Sequence, residues 1–171
     1  MTSRPRISLL LLVLAILFSA AAVLAAQEKD NPIVNPAAGA KFAPIPNAPE
    51  CFTVTVEKGD PAKGPSVILA RFAPHCVAGY HWHTPSETVM VASGSLETQM
   101  KGDKPIVARS GDFLYLPSHH VHRATCKGSA PCLVFLTSDA PFDVHWVDAD
   151  GKEIPFEQTM KPTKTTAKLK K

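Results

Sequence analysis

Four side chains in this 171-residue sequence have the types and spacing of a metal-ligand set. His81 and His83 are one residue apart, Glu87 follows four positions after His83, and His122 stands about forty residues further on. Imidazole nitrogen and carboxylate oxygen suit divalent first-row metals, and spacing alone does not choose among Fe, Mn, Ni, Zn and Cu. Four protein ligands leave one or two coordination positions for water or a substrate. Such a centre binds an enolate or dioxygen, or acts as a Lewis acid.

The scaffold that must position these groups reads as β. In a strand, residues i and i+2 share a face, so His81 and His83 project together and Trp82 points away. Thr84-Pro85-Ser86 makes a turn, after which Glu87 opens the next strand and returns to the same cavity. About ten short runs carry strand composition, with turn signals every 8–12 residues or so. They are residues 51–57, 67–72, 80–83, 87–92, 96–100, 106–109, 113–116, 122–126, 132–137 and 142–147. This spacing predicts an all-β barrel or sandwich.

The two ligand segments resemble the paired motifs of the cupins. His81, His83, three residues, Glu87, six residues and Gly94 match the first motif from its histidine pair onward. Gly111, five residues, Pro117 and then His122 five positions later match the second. The resemblance covers roughly residues 51–147 and is that of a small single-domain cupin. It implies a double-stranded β-helix, or jelly-roll barrel, with metal held by His81, His83, Glu87 and His122. Gly94 and Gly111 become turn glycines. Three positions depart from the pattern: His75 and His119 stand where glycines are usual, and Cys126 where an asparagine is usual. Gly79 is a second candidate for the bend before His81. None of the three is a ligand position.

Candidates beyond the ligand set rest on strand parity. His120 shares parity with His122, Phe113 alternates with Tyr115, and Asp143 with His145. Each has a plainer reading: turn residues for His119 and His120, core packing for Phe113 and Tyr115, a solvated pair for Asp143 and His145. As pocket candidates we take His120, Tyr115, Phe113 and His145, with Asp143 and His145 as supporting or acid–base groups. No catalytic residue is assigned, although Glu87 becomes a base if it swings off the metal.

The ends of the chain are distinct from the barrel. Arg4 and Arg6 precede an apolar run, Ile7–Phe18, and an alanine-rich stretch, Ser19–Ala26. This is the pattern of a signal peptide cleaved after Ala25 or Ala26. The alternative is an uncleaved single-span anchor. Residues 27–50 carry five prolines and read as a linker or an arm along the barrel through Ile33, Val34, Phe42 and Ile45. The barrel is expected over residues 51–156 and a basic, disordered tail over 157–171. Without Arg4, Arg6 and the five tail lysines, residues 27–160 hold 11 basic against 15 acidic groups. That balance is wrong for a nucleic-acid binder.

An exported chain, periplasmic or extracellular, meets an oxidising compartment. Of the three pairings that four cysteines permit, Cys126–Cys132 across an apparent β-turn is favoured, leaving Cys51–Cys76; four free thiols are the alternative. Three functional classes follow. The first is a metal-dependent enzyme on small molecules, such as the dioxygenases, isomerases and lyases among cupins. The second is a non-catalytic ligand-binding or metal-sensing module, and the third a structural protein with a vestigial site. The complete ligand set favours the first two. The partners expected are a small molecule and, by the resemblance, a second copy of the chain in a homodimer. No stable membrane insertion is expected after cleavage.

Overall fold

The structure, a computed structural model, describes residues 32–159. The apolar N-terminal segment and the tail from residue 160 lie outside that range. The chain divides into two units, Met1–Val34 and Asn35–Lys171; of the first only residues 32–34 are described, without regular structure.

Eleven strands build the second unit: β1 (Ala43–Pro44), β2 (Phe52–Gly59), β3 (Ser66–Phe72), β4 (Val77–Trp82), β5 (Glu87–Ser93), β6 (Ser95–Met100), β7 (Ile106–Arg109), β8 (Phe113–Leu116), β9 (His122–Lys127), β10 (Cys132–Ser138) and β11 (His145–Trp146). They form a six-stranded sheet of order β1-β2-β3-β10-β5-β8 and a five-stranded sheet of order β11-β4-β9-β6-β7. Every pairing is antiparallel. After β3 the chain passes repeatedly between the sheets, as an all-β jelly roll requires. Alternation along the strands buries one side of each. Ile68, Ala70 and Phe72 of β3, Val89 and Val91 of β5, and Val134 and Leu136 of β10 fill the space between the sheets.

Three expectations change. The proline-rich arm contributes β1, whose Ala43 and Pro44 pair with Val54 and Thr53. A proline is tolerated there because β1 is an edge strand. The tail expected from residue 157 begins inside a one-turn helix, α1 (Phe156–Thr159). The Cys126–Cys132 segment is not a hairpin turn, because β9 and β10 belong to different sheets. Its ends are nonetheless bonded, with Cα atoms 5.7 Å apart, and Cys51–Cys76 is the second bridge at 5.6 Å. Each bridge ties one sheet to the other near the start or end of a strand.

Backbone geometry accounts for two of the three departures from the cupin pattern. His75 and His119 both have positive φ, 61° and 58°. The left-handed turns that glycine usually makes are kept, with histidine bearing the strain. Gly94 is more constrained than Gly111. Both have positive φ, but a Cβ on Gly94 would lie 2.9 Å from Cys132 Cα and Pro131 O, whereas Gly111 faces open space.

These differences order four substitutions. We expect His75→Gly to stabilise the chain by about 0.5–1 kcal/mol, since the strain relieved exceeds the entropy added to the unfolded state. Gly111→Ala should cost about 1 kcal/mol and Gly94→Ala more than about 2 kcal/mol, with His119→Gly falling short of His75→Gly because its ring stacks on Trp82. Urea unfolding of the four variants tests the order, which fails if Gly94→Ala is no worse than Gly111→Ala.

Candidate metal centre

The four ligand candidates converge at the seam between the sheets. His81, next to last in β4, lies directly opposite His122 at the start of β9, in the five-stranded sheet. A bulge between Ala78 and His81 interrupts that ladder, and such bulges re-aim the side chain that follows. His83 lies just past β4. The Thr84–Ser86 turn then carries the chain across to the six-stranded sheet, where Glu87 opens β5 beside Leu116 of β8. All four are buried: His81 7%, His83 4%, Glu87 5% and His122 2% exposed.

Each imidazole is oriented by a backbone carbonyl. His81 Nδ1–H donates to Gly79 O (2.6 Å), His83 Nδ1–H to Asp143 O (2.5 Å) and His122 Nδ1–H to His120 O (2.9 Å). A carbonyl only accepts, so each ring carries its proton on Nδ1 and presents an Nε2 lone pair. The three rings offer ligand atoms within 4.8 Å of one another. Glu87 Oε2 lies 3.7 Å from His83 Nε2 and 3.8 Å from His122 Nε2. His83 Nε2 is buried without a hydrogen-bond partner. Buried polar atoms are normally satisfied, so this orphaned lone pair, aimed at two others and a carboxyl, fits a cation.

Burial dominates the protonation of the group. It drives His81 well below the ordinary imidazole range, with His122 and His83 adding to the effect, and lowers His122. It brings His83 down to about 4 against the opposing hydrogen bond to Asp143 O, and pushes Glu87 up to about 8. The Glu87–histidine separations would suit ion pairs, but near neutral pH without metal these are neutral imidazoles facing a neutral carboxylic acid.

A cavity of about 70 Å³ adjoins the histidines. Its walls are chiefly aliphatic and aromatic, including Val89, Leu116, Leu136, Phe142 and Trp146. Residues 45–49 of the proline-rich arm cross it as a strap, with Ile45, Ala48 and Pro49 in the wall. Trp146 Nε1–H holds the strap by donating to Asn47 O (2.8 Å).

The other pocket candidates lie elsewhere. Phe113 and Tyr115 are exposed, 64% and 58%, while Leu114 and Leu116 of β8 turn inward. The His120 side chain is exposed, and the residue acts through its carbonyl. His145 and Asp143 also face away from the cavity. His145 stacks on Trp82 at 3.8 Å and contacts Asp143 Oδ2 (3.3 Å) and Glu153 Oε1 (2.9 Å). Asp143 does support the site, because its carbonyl orients His83 and its Oδ1 accepts from Thr84 N–H (2.7 Å). Parity in 142–147 was readable, but Phe142, Val144 and Trp146 are the residues that line the cavity. The Phe142 ring packs against His83 at 4.4 Å and the Trp146 ring against His81 at 4.9 Å, both tilted.

The family model for the cupin domain (Cupin_2) matches residues 68–138, a span that includes all four ligand candidates. This is a small, single cupin domain. Solved structures with the same fold include the polyketide cyclase RemF from Streptomyces resistomycificus, at 16% identity and TM-score 0.59, over 77% of this chain and 95% of that one. KdgF from Halomonas sp. matches at 16% identity and TM-score 0.52, over 65% and 94%. The DMSP lyase DddQ from Ruegeria pomeroyi DSS-3 matches at 18% identity and TM-score 0.51, over 66% and 68%. At such identities the likeness of the cupin to these proteins is one of fold. No curated protein matches the chain.

The buried carboxyl and imidazoles make opposite contributions to stability. Glu87 has a folded pKa above its unfolded value, so its contribution is complete at acid pH and is lost as pH rises towards about 8. The histidines have depressed folded pKa values, so folding costs them a proton below about pH 6.5, and that penalty fades as pH rises to that value. Chelator-treated protein should therefore be most stable near pH 6.5 and lose about 2 kcal/mol by pH 8. Urea titrations at the two pH values check this: Glu87→Gln should abolish the alkaline loss, and an unchanged loss in that variant contradicts the assignment.

Proposed function

We propose that the chain is an exported, divalent-metal-dependent cupin enzyme acting on a small molecule, with His81, His83, Glu87 and His122 as the metal ligands. The observation that carries this reading is the common orientation of the three imidazoles. Each has its Nδ1–H committed to a carbonyl, and the buried Nε2 of His83 has no partner. The bound metal would supply Lewis acidity and, if redox-active, a route to dioxygen chemistry. His81, His83 and His122 hold it without changing protonation, because burial keeps them neutral at physiological pH. Glu87, held protonated by burial, would have to give up its proton to bind the cation. If its carboxylate swings aside it is placed to take a proton from a substrate carbon or oxygen. The reaction class is a dioxygenase, isomerase or lyase. Two proteins of the same fold, the polyketide cyclase RemF and the DMSP lyase DddQ, are in keeping with small-molecule chemistry on this scaffold.

Two disulfides support the export reading, since such bonds persist in oxidising compartments. Among the described residues no helix is long and apolar enough to cross a membrane. A homodimer belongs to the same proposal. Its support is the exposed apolar patch on the outer face of the six-stranded sheet, where Met90 of β5 pairs with Phe113 of edge strand β8 and Tyr115 follows two positions on.

Elemental analysis of protein purified from its native compartment should find about one transition metal per chain. His83→Ala should weaken divalent-metal affinity by about a hundredfold or more. Oxygen-uptake and product screens with diketones, flavonols and small phenolics then separate an enzyme from a binding module. A metal-replete protein that transforms none of them favours the module, and a protein that takes up no metal ends both readings.

The exposed patch yields a separate expectation. Sedimentation at micromolar concentration should give twice the chain mass, and Phe113→Lys should return the species to monomer; a monomeric wild type refutes the dimer.

A further inference from the structure

The wall of the cavity is more selective than its ligand set. Among the described residues that line it, none is Lys, Arg, Asn, Gln, Ser or Tyr. Beyond the histidines and Glu87, the polar side chains are Thr98 and the Trp146 indole, whose N–H is already committed to Asn47 O. Val89, Leu96, Leu116, Val134 and Leu136 make a continuous aliphatic surface contributed by both sheets. A ligand carboxylate or ammonium lying against this surface would lose its water and find no partner, as would most of the hydroxyls of a sugar. A hydrocarbon group there would be favoured.

We propose that the site takes a small molecule that is polar only at its metal-facing end, with a short, uncharged hydrocarbon body, and that the strap sets the length of that body. This rests on the metal-centred reading above and narrows it to a substrate class. Polyols, sugar acids and dicarboxylates are excluded; small carbonyl, enol or hydroxamate-like heads on alkyl or aryl bodies are admitted. The strap is suited to the role because its apolar side chains reach the cavity while the segment stays partly exposed. Its hold on the barrel includes the Trp146–Asn47 bond and the short β1–β2 pairing just before it. The cavity of about 70 Å³ is small, so substitution at the strap is the least disruptive way to lengthen it.

Two probes with one bidentate head separate the proposal from the reading beneath it. Pentanohydroxamate and 4-carboxybutanohydroxamate differ in the polarity of the far end. Full-length protein is first titrated with zinc alone, and failure to bind zinc defeats the metal-centred reading itself. On zinc-loaded protein, calorimetry should show the alkyl probe binding about a hundredfold more tightly than its carboxylated counterpart. Equal affinities, a reversed order, or no binding of either probe to zinc-loaded protein overturns the proposed class. Ile45→Ala, with unchanged zinc affinity, should strengthen octanohydroxamate binding about tenfold and leave pentanohydroxamate alone. If octanohydroxamate binding does not change, the strap does not set the length.

Discussion

The constraint on which the rest of the molecule depends is the removal of three imidazoles and a carboxyl from water at one point. Desolvation of such groups is costly, and here it is offset in parts. Carbonyls of Gly79, His120 and Asp143 satisfy one nitrogen of each ring, and burial keeps the remaining groups neutral. What stays unsatisfied is concentrated on the inward lone pairs, above all that of His83. The arrangement holds only if two sheets keep their registration, since His81 and His122 belong to one and Glu87 to the other. The two disulfides cross between the same sheets and limit how far they can shear.

The loops that complete this arrangement are anchored by backbone rather than by long side chains. His119 N–H donates to His83 O, and Ser118 Oγ–H to Thr84 O, so the turn before β9 is fastened to the turn after β4. This explains why a left-handed conformation survives at His119 without glycine: several local bonds over-determine it. A fold carried on such main-chain contacts can persist at 16% identity to its structural relatives, because few of those contacts require a particular side chain.

Much of the scaffold was legible in the sequence, for a definite reason. Period-two alternation and turn residues are local signals, and they located β2 to β10 and the parity of both ligand segments. Parity does not say which face is inward. Residue type favours the aromatic set in β8 and the polar set in 142–147, whereas the cavity is lined by Leu116 from the first and by Phe142, Val144 and Trp146 from the second. An inward face beside a metal centre resembles any other core face, so nothing local distinguishes it. The arm that carries the strap was hidden differently. Its prolines argue against sheet pairing, and the edge position of β1 is what makes Pro44 acceptable there. Carbonyl support from Gly79, His120 and Asp143 leaves no mark in residue type, because every residue has a carbonyl.

The aromatic stacking has a consequence for how the protein can be observed. The chain has two tryptophans, and both touch the ligand segments. Trp146 meets His81 from within the barrel, and Trp82, placed between the two ligand histidines in sequence, is stacked by the rings of His119 and His145 outside it. Tryptophan emission therefore originates beside the ligand segments, one source facing the cavity and the other facing solvent. The cupin contains its own optical reporter, in which a change inside the cavity and a change at the surface reach different indoles.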